Sequence, residues 1–167
     1  MAGLTYEPIA TTTLGSDSSS VTFSSISGAY TDLVMVANHK WASGTRVSLC
    51  MQFNNDTSTA SYSDVGLYAT GTTVSTGKET LNGYNFLGVT SDQWQLTTLN
   101  FADYANTTTK KSFLSRSNSL GTSATQNITA MVHMWSSTSA ISTIKIYPLS
   151  GNFLTGSVFT LFGILGS

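Results

Sequence analysis

Alternation of apolar and polar positions at a period of two is the dominant pattern along this chain, and helical spacing is scarce. Val47, Leu49, Met51 and Phe53 alternate with Arg46, Ser48, Cys50 and Gln52, which predicts a half-buried strand with one polar face. Ile144 and Ile146 alternate with Thr143, Lys145 and Tyr147 in the same way. A third segment sets Ile128, Ala130, Val132 and Met134 on one face and Thr129, Met131, His133 and Trp135 on the other. Further strands are predicted within 21–26, 31–39, 65–68, 84–89, 94–104, 111–116 and 157–164. Turn chemistry separates them: Ser27-Gly28, Asn54-Asn55-Asp56, Thr70-Gly71, Asn82-Gly83 and Ser150-Gly151-Asn152. The stretch 115–125 is long enough for a helix, but Ser, Asn and Gly dominate it and it reads as loop.

About ten short strands with turns between them predict an all-β, antiparallel β-sandwich of jelly-roll type with about 8–10 strands, because a βαβ fold needs helical segments between strands. At 167 residues the chain is read as a single domain, 1–167, with 1–15 as an extended N-terminal arm. That arm carries Leu4, Tyr6, Pro8 and Ile9 ahead of a hydroxyl-rich run. The last strand is apolar on both sides, with Phe159, Leu161 and Leu165 opposite Val158, Phe162 and Ile164. Such a strand is either central in the core or covered by a neighbouring subunit.

Composition sharpens this picture. Roughly a third of the residues are Ser or Thr, charged residues are 9%, and the formal net charge is -1. Soluble domains usually carry about a quarter charged residues. Hydrophobic residues at 40% and aromatics at 11% rule out a disordered hydroxyl-rich tract. A surface kept wet by hydroxyls rather than ions can be packed against neighbours without stranding unpaired charges. The seven basic residues are spread from Lys40 to Lys145, so no basic patch supports nucleic-acid binding, and Lys110-Lys111 reads as a solvated pair. No apolar run reaches a membrane-spanning length, and the N-terminus lacks the pattern of a signal peptide. The single cysteine, Cys50, forms no internal disulfide, which fits synthesis in a cytoplasm.

Catalytic patterns are sparse. Cys50 with His39 or His133 lacks any flanking nucleophile signature, and His133 is expected to pack against a neighbouring strand. Serines are so frequent that a Ser/His/Asp set can always be drawn, but no G-x-S-x-G elbow supports one. The only glutamates, Glu7 and Glu79, and the turn-located aspartates offer no carboxylate pair. Asn54, Asn55, Asp56 and Asp64 contain oxygen ligands for calcium, yet an Asx-rich turn explains them better. The chain is therefore expected to be no enzyme and to hold no metal or cofactor. Aromatic residues Trp41, Tyr62, Tyr68, Tyr84 and Trp94 would serve as sugar-stacking positions if the chain bound a glycan.

Several segments, in order, resemble small β-sandwich virion proteins of tailed bacteriophages, especially marine and cyanobacterial phages. They are 6–15 (YEPIATTTLG), 21–26 (VTFSSI), 30–33 (YTDL), 52–57 (QFNNDT), 104–110 (YANTTTK) and 150–164 (SGNFLTGSVFTLFGI). The family pattern has Gly where this chain has Asn55, a residue that also tolerates a left-handed turn. The resemblance implies a viral structural protein of the virion, made in the host cytoplasm. It points to a capsid decoration or cement protein, with a tail-fibre, spike or head-appendage protein binding a host-surface glycan as the alternative. Expected partners are further copies, as a homotrimer or dimer, and the major capsid protein. The assembly contacts are expected at Leu4, Tyr6, Ile9, Phe159, Leu161 and Leu165.

Overall fold

The computed structural model describes residues 6–42, 47–70, 72–80, 83–90, 93–119 and 127–166. These carry twelve strands: β1 (Tyr6–Thr13), β2 (Val21–Phe23), β3 (Asp32–His39), β4 (Val47–Phe53), β5 (Tyr62–Thr70) and β6 (Thr73–Thr80), then β7 (Asn85–Thr90), β8 (Gln95–Phe101), β9 (Lys111–Ser119), β10 (Asn127–Trp135), β11 (Ile144–Pro148) and β12 (Val158–Ile164). One turn of 3-10 helix, Thr59–Ser61, precedes β5. They form two antiparallel sheets, one of eight strands in the order β1-β12-β3-β8-β9-β10-β5-β6 and one of four in the order β2-β11-β4-β7.

The pairing is nested. β1 pairs with β12, β2 with β11, β3 with β8 and β4 with β7, as though one long hairpin had been rolled up. Those eight strands are the expected jelly roll, four to each sheet. Two hairpin insertions widen one sheet only. The β5–β6 pair follows β4, the β9–β10 pair follows β8, and together they extend the larger sheet beyond β8.

Two strands lie outside the sequence expectation, and both are edges. The segment read as an arm is β1, hydrogen-bonded along β12 from Tyr6↔Ile164 to Thr13↔Val158 with a bulge between Pro8 and Ala10. Proline, lacking an N–H, is tolerated on such an edge. At the far edge β6 buries little, so its sequence carries no apolar alternation to read. The loop read over 115–125 is corrected in its first part, because Ser115–Ser119 continues β9 against β10. Residues 120–126 lie outside the described residues, as do Leu4 and Arg46.

Between the sheets Phe53 is the centre of an aromatic cluster. Its ring meets Phe113 edge-on at 5.3 Å, Phe101 edge-on at 5.9 Å and Trp135 at 5.4 Å. Such offset and edge-to-face contacts each add about 0.5–1.5 kcal/mol beyond area burial. Tyr62 joins this cluster and uses its hydroxyl twice, accepting from Phe53 N and donating to Asp56 O. Further along, Phe153 and Phe159 pack on the His39 ring.

Phe159 and Leu161 are wholly buried in this core, which corrects their assignment to a subunit contact. β12 is internal, flanked by β1 and β3, so its odd-numbered side chains face the second sheet and its even-numbered ones face outward. Of the other expected contacts, Tyr6 and Leu165 are exposed and Ile9 packs partly on the core.

Candidate functional site

Two of the added strands, β5 and β10, reverse the usual relation of pattern to burial. On β10 the polar-rich face, Asn127, Thr129, Met131, His133 and Trp135, points inward, while Ile128, Ala130, Val132 and Met134 point out. β5 behaves alike: Tyr62 and Asp64 are buried, and Val65 and Leu67 are exposed. The inward polar groups therefore need partners, and they find one another.

Asp64 is the hub of that inner network. Its Oδ1 lies 2.6 Å from His133 Nδ1 and accepts from Asn85 Nδ2 at 2.6 Å, while Oδ2 accepts from Phe86 N at 2.8 Å. His133 Nε2 lies 2.7 Å from Ser115 Oγ. A carboxylate only accepts, so Nδ1 carries a proton toward Asp64, and Nε2 pairs with the Ser115 hydroxyl. Serine, histidine and aspartate thus stand in the order of a hydrolytic triad. Yet Ser115, His133 and Asp64 are all buried, and the Phe113 ring stacks on His133 at 4.5 Å. A nucleophile needs a substrate carbonyl and an oxyanion site within about 3 Å. Here all three side chains are enclosed, and the network ties β5, β9 and β10 of one sheet to β7 of the other. Nothing in the separations of residues 64, 115 and 133 along the chain signals this grouping.

Outside, the wide sheet presents a nearly uncharged face. Nine of the twelve large apolar side chains left exposed among the described residues lie on it, which makes it the dominant apolar surface there. The cross-strand register aligns Pro8, Phe162, Val34, Asn100, Leu114, Val132, Val65 and Lys78 in one row across all eight strands. Leu114, Val132 and Val65 are each more than half exposed. They rim a hollow of about 350 Å³ over Gly66 and Ala130, and Leu114 also rims a second of about 420 Å³ with Val34 and Ile164. Among the described residues the charged side chains on this face are Arg116, Lys78 and, near one end, Asp32. The smaller sheet differs: its outer face carries Thr22, Ser48, Gln52, Lys145 and Tyr147, with Lys145 Nζ 5.1 Å from the Tyr147 ring centre.

The sugar-stacking positions do not form a platform. Trp41 and Tyr62 are buried, which corrects their reading as exposed rings: Trp41 Nε1 donates to Ser150 O, and Tyr62 belongs to the core. Tyr68 faces inward 6.2 Å from Phe86, and Tyr84 meets Tyr147 edge-on at 6.2 Å. Trp94 is exposed, beside Gly156.

The calcium reading also dissolves into local structure. Asn54 Oδ1 accepts from the backbone of Ser142 and Thr143, Asp56 Oδ2 accepts from Trp135 Nε1, and Asp64 is spent on the network above. Asn54 and Asn55 both have positive φ, as their turn requires. Among the described residues no three His, Cys, Asp or Glu side chains converge as metal ligands.

Three more residues lie deeper than their sequence context suggests. Lys111, read as half of a solvated pair, is buried with Nζ donating to Thr109 O and Thr138 O, and desolvation lowers its pKa. His39 ends β3 with its ring fully enclosed, Nε2 lying 3.1 Å from Thr97 Oγ1, and burial lowers its pKa to about 4. The Cys50 thiol is buried, and desolvation pushes its pKa well up, leaving a poor nucleophile. Among the described residues no helix is long and apolar enough to cross a membrane. The chain matches no protein-family model, no curated protein and no solved structure.

Proposed function

We propose that this chain is a non-enzymatic structural subunit of a tailed-phage particle, seated on the outside of the capsid as a decoration or cement protein. The observation that carries the reading is the outer face of the wide sheet, where aliphatic side chains stand out toward solvent while the polar side chains of the same strands are turned inward. Exposing that apolar area alone is unfavourable by about 25 cal/mol per Å². A surface of this kind is kept by a protein whose working state covers it. Sequence resemblance to small phage virion β-sandwiches names the particle, and the jelly roll is an architecture shared by many capsid-associated domains. The work of such a subunit is mechanical: many copies of a dry contact brace a shell against the pressure of its packed genome.

The test is association with particles. Purified chain added to phage shells lacking it should bind in hundreds of copies, counted on a quantitative gel, and should raise the temperature at which the shells rupture. Binding in only a few tens of copies at the tail or a vertex would instead favour the appendage role. Absence of binding to any part of the particle would refute the assignment.

A further inference from the structure

We infer that the outer face of the eight-stranded sheet closes on a second copy of this chain, sheet against sheet, about a two-fold axis that runs along the strands between β9 and β10. The inference deepens the assembly reading given above and rests on it.

The size of the face is the first reason. The proposed axis overlays six of the eight strands, β3 through β6 in sheet order, and six strands of some seven residues span about 29 Å by about 24 Å, on the order of 700 Å². Specific stable interfaces take about 600–1,000 Å² from each partner, and the overlapped face falls within that range.

Self-complementarity is the second reason. In a two-fold interface, residue i meets residue j and j meets i. The proposed axis lays β9 over β10 of the other copy, so Leu114 of each copy meets Val132 of the other. Both residues lie in the same cross-strand row and both rim the 350 Å³ hollow, which receives them. The same operation lays β3 over β6, bringing Asp32 of one copy toward Lys78 of the other, one row apart. Arg116 falls over Ala130, the smallest side chain in its row. Two copies of a twisted sheet pack in this way with their strands roughly 30° from aligned. No carboxylate lies in the centre of the face, where it would be buried twice.

The test is oligomeric state, read by sedimentation equilibrium on the full chain together with circular dichroism and thermal melting. The parent should run at twice its 17.7 kDa at micromolar concentration. Leu114→Glu and Val132→Lys each alter an exposed side chain, so each should run as a monomer with its melting temperature within a few degrees of the parent's monomeric form. Mixing the two variants should restore the doubled mass, because Glu at 114 then faces Lys at 132. A parent that stays monomeric at about 100 µM would overturn the inference, as would dimers indifferent to both substitutions. A monomeric parent whose binding to phage shells is lost in Leu114→Glu would assign the face to another virion protein: the inference fails and the assembly reading stands. A dimer split by both variants that never joins a particle gives the converse.

Discussion

His133 Nδ1 lies 2.6 Å from Asp64 Oδ1 with both side chains enclosed between the sheets, and Asp64 also takes the Asn85 amide and the Phe86 N–H from β7. The carboxylate thus joins the inserted strands to the smaller sheet. Replacing Asp64 with Ala leaves three donors without their acceptor, and leaving buried polar groups unpaired is what makes such changes costly. Asp64→Ala should lose about 3–5 kcal/mol in urea unfolding, the cost of breaking a buried pair. Ser115→Ala, which removes one hydrogen bond to His133, should lose about 1 kcal/mol. Equal losses would show that Asp64 is not the hub.

The same burial bears on chemistry. Because Phe113 covers His133 and Ser115 is enclosed, the native protein should not react with a fluorophosphonate probe, and Ser115→Ala should leave that result unchanged. Labelling of Ser115 in the folded chain, located by peptide mass spectrometry, would show that substrate can reach it and would reopen an enzymatic reading.

Stability should fall with acid partly through His39. Burial lowers its folded pKa to about 4 from the ordinary 6.5, so below about pH 6.5 the unfolded chain binds a proton that the folded chain refuses. The contribution is neutral above pH 6.5, becomes progressively destabilising as the pH falls toward 4, and levels off below that. Its full size is roughly 3 kcal/mol. A His39→Gln variant, melted alongside the parent from pH 7 to pH 4, should lose less stability over that window. Parallel curves would show that His39 is not the titrating group.

Gly151 has φ +73°, and a Cβ placed there would lie 2.6 Å from Trp41 Nε1, the atom that donates to Ser150 O. Both the left-handed backbone and the indole exclude a side chain. Gly151→Ala should cost about 1–3 kcal/mol and shift Trp41 fluorescence to the red as the ring is pushed toward water. Unchanged stability and emission would mean that the loop accommodates the methyl group freely.

Attachment through a face this poor in ions should be indifferent to salt. Raising ionic strength from about 0.05 M to about 1 M shortens the screening length to about 3 Å and weakens charge-driven docking, but it leaves apolar contacts intact. Dimers and particle-bound protein should both survive the change. Release by salt alone, with circular dichroism unchanged, would show that groups such as Lys78, Lys110 and Arg116 carry the contact.

The chain's alternation determined much by itself. Leu49, Met51 and Phe53 on β4, and Ile144 and Ile146 on β11, face the core as their spacing dictates, because these strands lie in the jelly roll and have one dry side. The strands and turns of an antiparallel sandwich are written in the sequence, while the nested order in which they pair is fixed by the tertiary structure. Tertiary structure alone decided which side of β5 and β10 is inside. A period of two separates the faces of a strand but carries no sign: Ile128, Val132 and Met134 make an apolar face in any environment. They point outward here because the inner side of β10 is given to His133, which with Asp64 and Ser115 forms a polar network completed by Asn85 and Phe86 of the smaller sheet. The edge strands β1 and β6 were hidden for a related reason. An edge with little covering it needs no apolar alternation, so its pairing is imposed by the neighbouring strand and not by its own residues.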